Sequence, residues 1–314
     1  MNFILATDDN FVQHCCVTMT SILRNNNDVH FFIFTEELSP QNAELLCNHT
    51  KSFGGTIEIC KVDSNIVSRF PMPANADAHI SVATYYRLFA ALILPESIDK
   101  AIYMDCDMVV RKSFKELWDE PIEGYAVGAV FQSKGESQTN DKKRLHIPEQ
   151  FGYFNAGLLL INLKYWREHS VTDRLMDYIR DYYATIHQHD QDVLNAVLYS
   201  EVKPISYTWN FLPLFFDVEK REFVEYVDYS CKITSPANIH FVSAPKPWDY
   251  GCSNPFKDEY YKYLDMTPFK GSKPKFVLSK FYRDVLYHKL VALIATLDIF
   301  NIRKRLNLRR IIKK

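Results

Sequence analysis

The segment that most constrains the fold spans residues 101–110 and reads AIYMDCDMVV. Apolar side chains at consecutive positions are typical of a strand that is buried on both faces, as in a parallel sheet. Asp105 and Asp107 interrupt this pattern two positions apart, so both carboxylates point to the same side of an extended chain. Two buried like charges are costly without compensation, and Mg²⁺ or Mn²⁺ suits carboxylates that share their metal with phosphates. The alternative is a surface turn in which the aspartates cap the next helix.

The N-terminal part alternates predicted strands with predicted helices. Strand patterns at residues 3–6, 30–34 and 56–62 are separated by two helical patterns. This alternation predicts an α/β fold with a Rossmann-like, mainly parallel sheet flanked by helices. Because ligands of such sheets bind beyond the carboxyl ends of the strands, Asp8 and the Asp105/Asp107 pair are expected at the same edge.

Later segments add polar candidates for a site. Arg87 lies in a predicted helix, residues 153–163 place a polar turn before an apolar strand, and residues 187–192 precede an amphipathic helix. His240 and Lys246 lie in an apolar, proline-containing loop. Taken singly, each has an ordinary explanation: a solvated arginine, acids that cap a helix, or a structural histidine.

Two further segments are assigned a conformation from their pattern. Residues 81–94 carry apolar side chains at helical spacing and are predicted to be helical. Residues 132–150 are polar, without a clear period, and are predicted to form an inserted loop of the kind that often holds functional groups.

The C-terminal part differs from the rest in charge. Twelve Lys or Arg stand against two Asp between residues 273 and 314, although the whole chain has a net charge of −1. Its longest mainly apolar segment, residues 290–297, is too short to cross a bilayer, which takes about 20 residues. We therefore predict a main domain at residues 1–268 and a basic amphipathic helical tail at residues 269–314 that lies on an anionic membrane surface. An RNA-binding or solubilising tail is the alternative, but no RNA-binding motif accompanies it.

Cysteine usage and the N-terminus indicate a compartment. The seven cysteines lack the spacing of a disulfide framework, and Met1 leads into a strand pattern rather than into a signal peptide. Both features favour a cytoplasmic protein. With the tail, they predict peripheral attachment to the inner face of the cytoplasmic membrane.

Taken in order from about Asn2 to Trp248, these segments resemble the retaining glycosyltransferases of family 8. That family includes bacterial lipopolysaccharide glucosyl- and galactosyltransferases and, more distantly, glycogenin. The resemblance implies a GT-A fold, a nucleotide-binding α/β domain that uses Mn²⁺ or Mg²⁺ to hold a UDP-sugar. Residues 1–268 would then be the catalytic domain.

The resemblance also implies a role for each matching residue. Asp105, Asp107 and His240 would bind the metal. The donor would be bound by Ala6, Asp8 and Asn10 at uracil and ribose, by Asp105, Ser243 and Lys246 at the diphosphate, by Arg87, Asn155, Ala156, Asp190 and Gln191 around the transferred sugar, and by His79 in a closing loop. Ser243 stands where the diphosphate loop often has glycine, and Gln132 stands where some relatives have an aspartate that lines the acceptor side.

The chain is thus predicted to be a metal-dependent, retaining hexosyltransferase. It would move glucose or galactose from a UDP-hexose to a hydroxyl of a cell-surface glycan, such as lipopolysaccharide or another lipid-linked saccharide, with no nucleic acid as partner. The metal and Lys246 would stabilise the negative charge of the leaving UDP. Asp190 would position the donor hydroxyls, and Gln191 would support the anomeric centre.

Two other functions are compatible with nucleotide-binding carboxylates. A sugar nucleotidyltransferase usually has a glycine-rich, basic phosphate loop near its N-terminus, where this chain has Asp8, Asp9 and Asn10. A catalytically silent sensor or membrane scaffold would bind the nucleotide sugar without releasing UDP.

Overall fold

The computed structural model describes residues 1–63, 82–132, 136–212, 216–217, 222–223, 235–242, 244–274, 276 and 278. The strands are β1 (Asn2–Ala6), β2 (His30–Thr35), β3 (Thr56–Lys61), β4 (Lys100–Met104), β5 (Met108–Val110), β6 (Val127–Phe131), β7 (Phe154–Asn162), β8 (Val202–Pro204), β9 (Phe216–Asp217), β10 (Glu222–Phe223) and β11 (Asn238–His240). The α-helices are α1 (Val12–Asn25), α2 (Pro40–Ser52), α3 (Ala90–Ile93), α4 (Lys115–Asp119), α5 (Glu136–Arg144), α6 (Leu163–Glu168), α7 (Val171–Tyr182), α8 (His189–Leu198) and α9 (Lys257–Leu264). Val82–Phe89, Tyr183–Thr185 and Tyr207–Trp209 are 3-10 helices.

Seven strands form the central sheet in the order β3-β2-β1-β4-β7-β6-β8. The pairs β3–β2, β2–β1, β1–β4 and β6–β8 are parallel, whereas β7 runs antiparallel to both of its neighbours, β4 and β6. The predicted α/β fold with a mainly parallel sheet is therefore confirmed.

Helices cover both faces of this sheet, which is why its strands are apolar at consecutive positions. In β1, Ile4 packs in a core that contains Trp166 of α6 and Leu194 of α8. The next residue, Leu5, belongs to the core on the other face, with Met19 of α1. Period-two alternation thus sends successive apolar side chains of one strand into two cores.

The predicted strand at residues 101–110 is divided in two. Strand β4 ends at Met104, residues 105–107 turn, and β5 pairs with β11 antiparallel in a separate two-stranded sheet. Leaving the main sheet at Met104 lets the two aspartates face a cavity rather than remain in a buried strand, where their charges would be costly.

The predicted helix at residues 81–94 is confirmed over residues 82–93, of which residues 82–89 form a 3-10 helix and Ala90–Ile93 is α-helical. At three residues per turn, Tyr85 and Leu88 lie on the same side, and both are buried. The predicted loop at residues 132–150 was wrong, because this segment contains helix α5. That helix has no apolar period that could indicate it, and it is held instead by polar contacts of Arg144.

Most of the predicted basic tail lies outside the described residues. Within the residues that are described, no helix combines the length and the apolar character needed to cross a membrane.

Candidate active site

A cleft of about 660 Å³ opens where β1 and β4 end. It lies beyond the carboxyl ends of these strands, as expected for a ligand site of a parallel sheet. Of the predicted site residues, it is lined by Ala6, Asp8, Arg87, Asp105, Asp107, Asn155, Ala156, Asp190, Gln191, His240 and Lys246. Segments that are far apart in the sequence therefore meet around one cavity.

The remaining predicted residues are not part of this lining. Asn10 lines a neighbouring cavity of about 450 Å³ instead. His79 and Ser243 lie outside the described residues. Gln132, expected on the acceptor side, is described but does not line the cleft.

Asp105, Asp107 and His240 form a compact group of potential metal ligands, whose ligand atoms all lie within 4.8 Å of one another. The pairing of His240 with Met108, between β11 and β5, brings the imidazole to the turn that carries both aspartates. Its Nε2 lies 3.1 Å from Oδ1 of Asp107 and 3.7 Å from Oδ2 of Asp105.

These three side chains are suitable ligands for a divalent metal ion. Oδ1 of Asp107 is a buried atom without a hydrogen-bond partner in the part of the chain that is described. A desolvated carboxylate oxygen of this kind is costly unless a cation or a donor reaches it. Carboxylates suit Mg²⁺ and Mn²⁺, and an added imidazole is a ligand that transition metals accept. The residues present are therefore suited to such an ion.

Gly157 makes room for the group. A Cβ at this position would lie 2.3 Å from Cε1 of His240 and 2.8 Å from Oδ2 of Asp105. The backbone of β7 also accepts a hydrogen bond from the amide of Asp105, at 2.8 Å from the carbonyl oxygen of Gly157. Two of the potential metal ligands therefore occupy the space that a side chain at this position would need.

Two cations flank the acidic group. Nζ of Lys246 lies 2.5 Å from Oδ2 of Asp107 and donates to the carbonyl oxygen of Phe241. On the other side, NH2 of Arg87 lies 2.8 Å from Oδ1 of Asp105. The two carboxylates are thus balanced by one positive charge each, and their remaining oxygens face His240.

Arg87 connects the metal group to Asp190. Its NH1 donates to the carbonyl oxygen of Ala156 at 2.6 Å, and its Nε lies 2.9 Å from Oδ2 of Asp190. The hydrogen of Nε is directed to the carbonyl oxygen of Thr84, at 3.1 Å. Oδ2 of Asp190 therefore has a charged neighbour but no hydrogen bond within the described residues.

Asp190 is a carboxyl group in an unusual environment. Its side chain is 6% exposed, and it lines the cleft. Burial raises its pKa, Arg87 opposes this effect and Asp105 adds to it, so the pKa of Asp190 is raised to about 7. His189, immediately before it, has a φ of 51°, a left-handed conformation that is uncommon for a residue other than glycine.

Asp192 was not predicted as an important residue, because its position suited an ordinary helix cap. It is fully buried and accepts hydrogen bonds from Tyr153, from two backbone amides and from Arg144. Burial raises its pKa, but Arg144, the amides of Gln188 and His187, and Tyr153 outweigh burial, so its pKa is lowered. Its surroundings favour a permanent negative charge.

Gln191 is held by contacts from β7. Its Oε1 accepts from Nδ2 of Asn155 at 3.0 Å and from the amide of Ala156 at 3.1 Å, and its Nε2 donates to the hydroxyl of Tyr153 at 3.1 Å. Asn155 and Ala156 are therefore both in the cleft wall and in direct contact with Gln191. The predicted neighbourhood of these three residues is observed.

Asp8 lies at the rim of the cleft and has a local role as well. Its Oδ1 accepts from the amides of Asn10 and Phe11, each at 3.0 Å, in the turn that precedes α1. Its carboxylate thus orders the backbone between β1 and α1, at the predicted nucleoside end of the cleft.

With this geometry, the chain can be compared with known proteins. Its sequence matches the family model described as "Glycosyl transferase family 8" over residues 2–252. The chain belongs to this family. Among relatives, it is 30% identical to the general stress protein A of Bacillus subtilis over 85% of this chain and 94% of that protein. It is 25% identical to the lipopolysaccharide 1,2-glucosyltransferase of Escherichia coli K12, over 88% and 80%.

A solved structure extends the likeness to the fold. The chain resembles the galactosyltransferase LgtC, crystallised with donor and acceptor sugar analogs, with a TM-score of 0.75 and 26% identity over 91% of this chain and 100% of LgtC. The predicted membership of family 8 and the GT-A fold are therefore confirmed. The sugar, the ion and the roles of single residues stay predictions.

Proposed function

We propose that this family 8 member is a retaining hexosyltransferase that uses Mn²⁺ or Mg²⁺ and transfers glucose or galactose from a UDP-sugar to a hydroxyl of a cell-surface glycan. The observation that carries the proposal is the cleft in which Asp105, Asp107 and His240 lie between Lys246 and Arg87. Such a site suits a nucleotide diphosphate bound through a divalent cation. Lipopolysaccharide enters as an acceptor class because the Escherichia coli relative is a lipopolysaccharide 1,2-glucosyltransferase.

The leaving group needs positive charge. A divalent ion held by Asp105, Asp107 and His240 would supply part of this charge. Lys246 is close enough to the metal group to bind the same diphosphate, and its ammonium is held by contacts with Phe241 and Asp107. Charge that is already in place requires little reorganisation during the reaction.

The sugar is proposed to lie between Arg87, Asp190 and Gln191. Oδ2 of Asp190 has no hydrogen bond within the described residues, so a donor hydroxyl can satisfy it. Oε1 of Gln191, by contrast, already accepts two hydrogen bonds. We therefore assign the orientation of the sugar to Asp190 and the support of its developing positive charge to the fixed amide dipole of Gln191.

The experiment is UDP release from UDP-glucose and UDP-galactose, each with Mn²⁺ and with EDTA, for the natural chain and for Asp107→Ala. We expect metal-dependent release with one donor and its loss in the variant. Binding of UDP with metal but no release from either donor would favour a silent sensor, and formation of diphosphate from UTP and a sugar phosphate would favour a nucleotidyltransferase. Full kcat in Gln191→Ala would remove the role given to Gln191.

We further propose that residues 1–268 form the catalytic domain and that residues 269–314 attach it to the anionic, cytoplasmic face of the membrane, where a lipid-linked acceptor is found. The support is the excess of Lys and Arg after residue 272. The test is sedimentation with vesicles that contain an anionic lipid, comparing the full chain with a chain that ends at residue 268. Equal sedimentation of the two would contradict the proposal, and the shorter chain should still release UDP.

A further inference from the structure

Asn210 is a buried amide between the metal group and the sugar-binding residues. Its side chain has no solvent exposure and follows the 3-10 helix Tyr207–Trp209. Its Oδ1 lies 2.9 Å from Nδ1 of His240, and its Nδ2 donates to Oδ1 of Asn155 at 2.8 Å. No pattern in the sequence indicated this residue.

The direction of these hydrogen bonds is fixed by the backbone of β7. The amide of Ala156 can only donate, so the atom of Gln191 that faces it at 3.1 Å is the oxygen. The amide of Gly157 donates in the same way to the side-chain oxygen of Asn155 at 3.0 Å. Asn155 therefore turns its oxygen to Gly157 and its NH₂ group to Gln191, consistent with the 3.0 Å contact between them.

The orientation of Asn155 determines that of Asn210 and, through it, the tautomer of His240. Because Oδ1 of Asn155 accepts, Asn210 must present its NH₂ group to it and its oxygen to the imidazole. That oxygen can only accept, so Nδ1 of His240 carries a hydrogen. In the neutral imidazole the lone pair is then on Nε2, which faces Asp105 and Asp107.

The backbone holds Asn210 in this place. The amide of Phe211 donates to the carbonyl oxygen of Asn238 at 3.2 Å, and the amide of His240 donates to the carbonyl oxygen of Phe211 at 3.0 Å. Nδ2 of Asn238 donates to the carbonyl oxygen of Trp209 at 2.8 Å. The residues on both sides of Asn210 are thus tied to the strand that carries His240.

We propose that Asn210 is a positioning residue with two effects. It holds His240 in the tautomer that can bind a metal ion, and through Asn155 it fixes the amide of Gln191 relative to that ion. The second effect rests on the proposed function, because it assumes that Gln191 acts on the donor sugar. The first effect concerns only metal binding.

The first effect is tested on the unmodified protein. In the metal-free chain with ¹⁵N-labelled histidine, we expect the NMR signals of His240 to show a hydrogen on Nδ1, with His240→Gln used for assignment. An imidazole with its hydrogen on Nε2 and none on Nδ1 would overturn the proposal. This measurement requires neither a variant at position 210 nor any enzymatic activity.

Two substitutions separate the two effects, with Mn²⁺ alone as the probe. Asn210→Leu removes both hydrogen bonds, and we expect the Kd for Mn²⁺ to rise about 10- to 100-fold. Asn210→Asp still accepts from Nδ1 of His240 but cannot donate to Asn155. We expect it to keep the Kd for Mn²⁺ within about threefold, while kcat for UDP release at saturating Mn²⁺ falls about tenfold or more.

Asn26→Leu is the control for general effects of replacing a buried asparagine. Asn26→Leu replaces another buried asparagine, one that contacts Ile22 and Phe114 far from the cleft; it should lower the melting temperature and leave the Kd for Mn²⁺ unchanged. An unchanged Kd in Asn210→Leu would overturn the first effect, and an unchanged kcat in Asn210→Asp would overturn the second. If the natural chain releases no UDP from either donor, the proposed function fails, but the Kd and the NMR result still decide the role of Asn210.

Discussion

Asp190 and Asp192 lie two residues apart in the first turn of α8, and both are buried, yet their surroundings differ in kind. Asp190 has an oxygen without a hydrogen bond and a pKa raised to about 7. Asp192 is surrounded by donors, and its pKa is lowered. Asp190 therefore keeps an oxygen that can accept a hydrogen bond from a ligand, whereas the protein itself supplies the hydrogen bonds of Asp192.

Arg87 and Arg144 account for much of this difference. Arg87 divides its donors among Asp105, Ala156 and Thr84, so none of them forms a hydrogen bond to Oδ2 of Asp190. Arg144 donates to both oxygens of Asp192, at 2.8 and 3.2 Å. A buried carboxylate with well-aligned hydrogen bonds from a cation can keep its charge. A buried carboxylate oxygen without a hydrogen bond needs a further partner, such as a ligand.

The largest expected effect is on catalysis, in Asp190→Asn. If Asp190 orients the donor, kcat for UDP release should fall about 10²-fold or more, since small losses of alignment have effects of this size. The melting temperature at neutral pH should not fall, because no hydrogen bond of Oδ2 is lost and the variant buries no charge at this position. A kcat within threefold of the natural value, in protein that is shown to be folded, would contradict the claim that Asp190 orients the donor.

The second effect is on stability, in Asp192→Asn. One of its oxygens becomes an NH₂ group that faces other donors, so the free energy of unfolding should fall by about 3 kcal/mol. Urea denaturation measures this change directly. Asp190→Asn, on the same helix, is the matched control. The kcat of folded Asp192→Asn should fall far less than that of Asp190→Asn. Equal losses of kcat would show that the two carboxyl groups do not differ in function.

The third effect is a change of about 1 kcal/mol or more in the free energy of unfolding with pH. Because the pKa of Asp190 is higher in the folded than in the unfolded state, its contribution to stability is present below about pH 4 and is lost as the pH rises toward 7. The pKa of Asp192 is depressed by folding, so its contribution is present above about pH 4 and is lost at lower pH.

Urea titrations of metal-free protein between pH 3 and pH 8 check both signs. Relative to the natural chain, Asp190→Asn should gain stability as the pH rises from 4 to 7, and Asp192→Asn should lose stability as the pH rises from 3 to 5. The same pH trend in both variants would show that the two carboxyl groups do not differ as described.

The smallest effect is expected at Arg180. This arginine contacts Asp177 and Asp181 on α7, but all three side chains are more than half exposed. Exposed ion pairs contribute little because water already solvates both charges. Calorimetry should therefore find no change in melting temperature for Arg180→Ala and a clear decrease for Arg144→Ala, whose partner is buried; similar decreases would argue that burial is not the cause.

Much of the fold could be predicted from the sequence because local patterns carry it. Consecutive apolar residues between helical segments indicated a sheet covered on both faces, and the spacing of Asp105 and Asp107 indicated shared ligands. The sequence raised a turn at these aspartates only as an alternative and could not decide for it, because the turn depends on the pairing of β5 with β11, which lies about 130 residues further along.

The part of the site that was missed depends on contacts rather than on patterns. Asn210 gains its place from backbone hydrogen bonds with a distant strand, and Asp192 looks like an ordinary first-turn acid until Arg144 and Tyr153 surround it. Helix α5 has no apolar period, so nothing in its own residues distinguishes it from a loop. Such features become visible only when the chain is folded.

The antiparallel strand β7 has a consequence for how such a protein can diversify. Strand β6 ends at Phe131 and β7 begins at Phe154, and the amide of Gln132 donates to the carbonyl oxygen of Tyr153 at 2.9 Å. The intervening residues are therefore an insertion whose two ends are joined at the base, at the same edge as the cleft. Evolution can lengthen, shorten or rewrite such an insertion at small entropic cost and without shifting the register of the sheet. The donor end of the cleft can stay constant while the surface beside it is adapted to new acceptors.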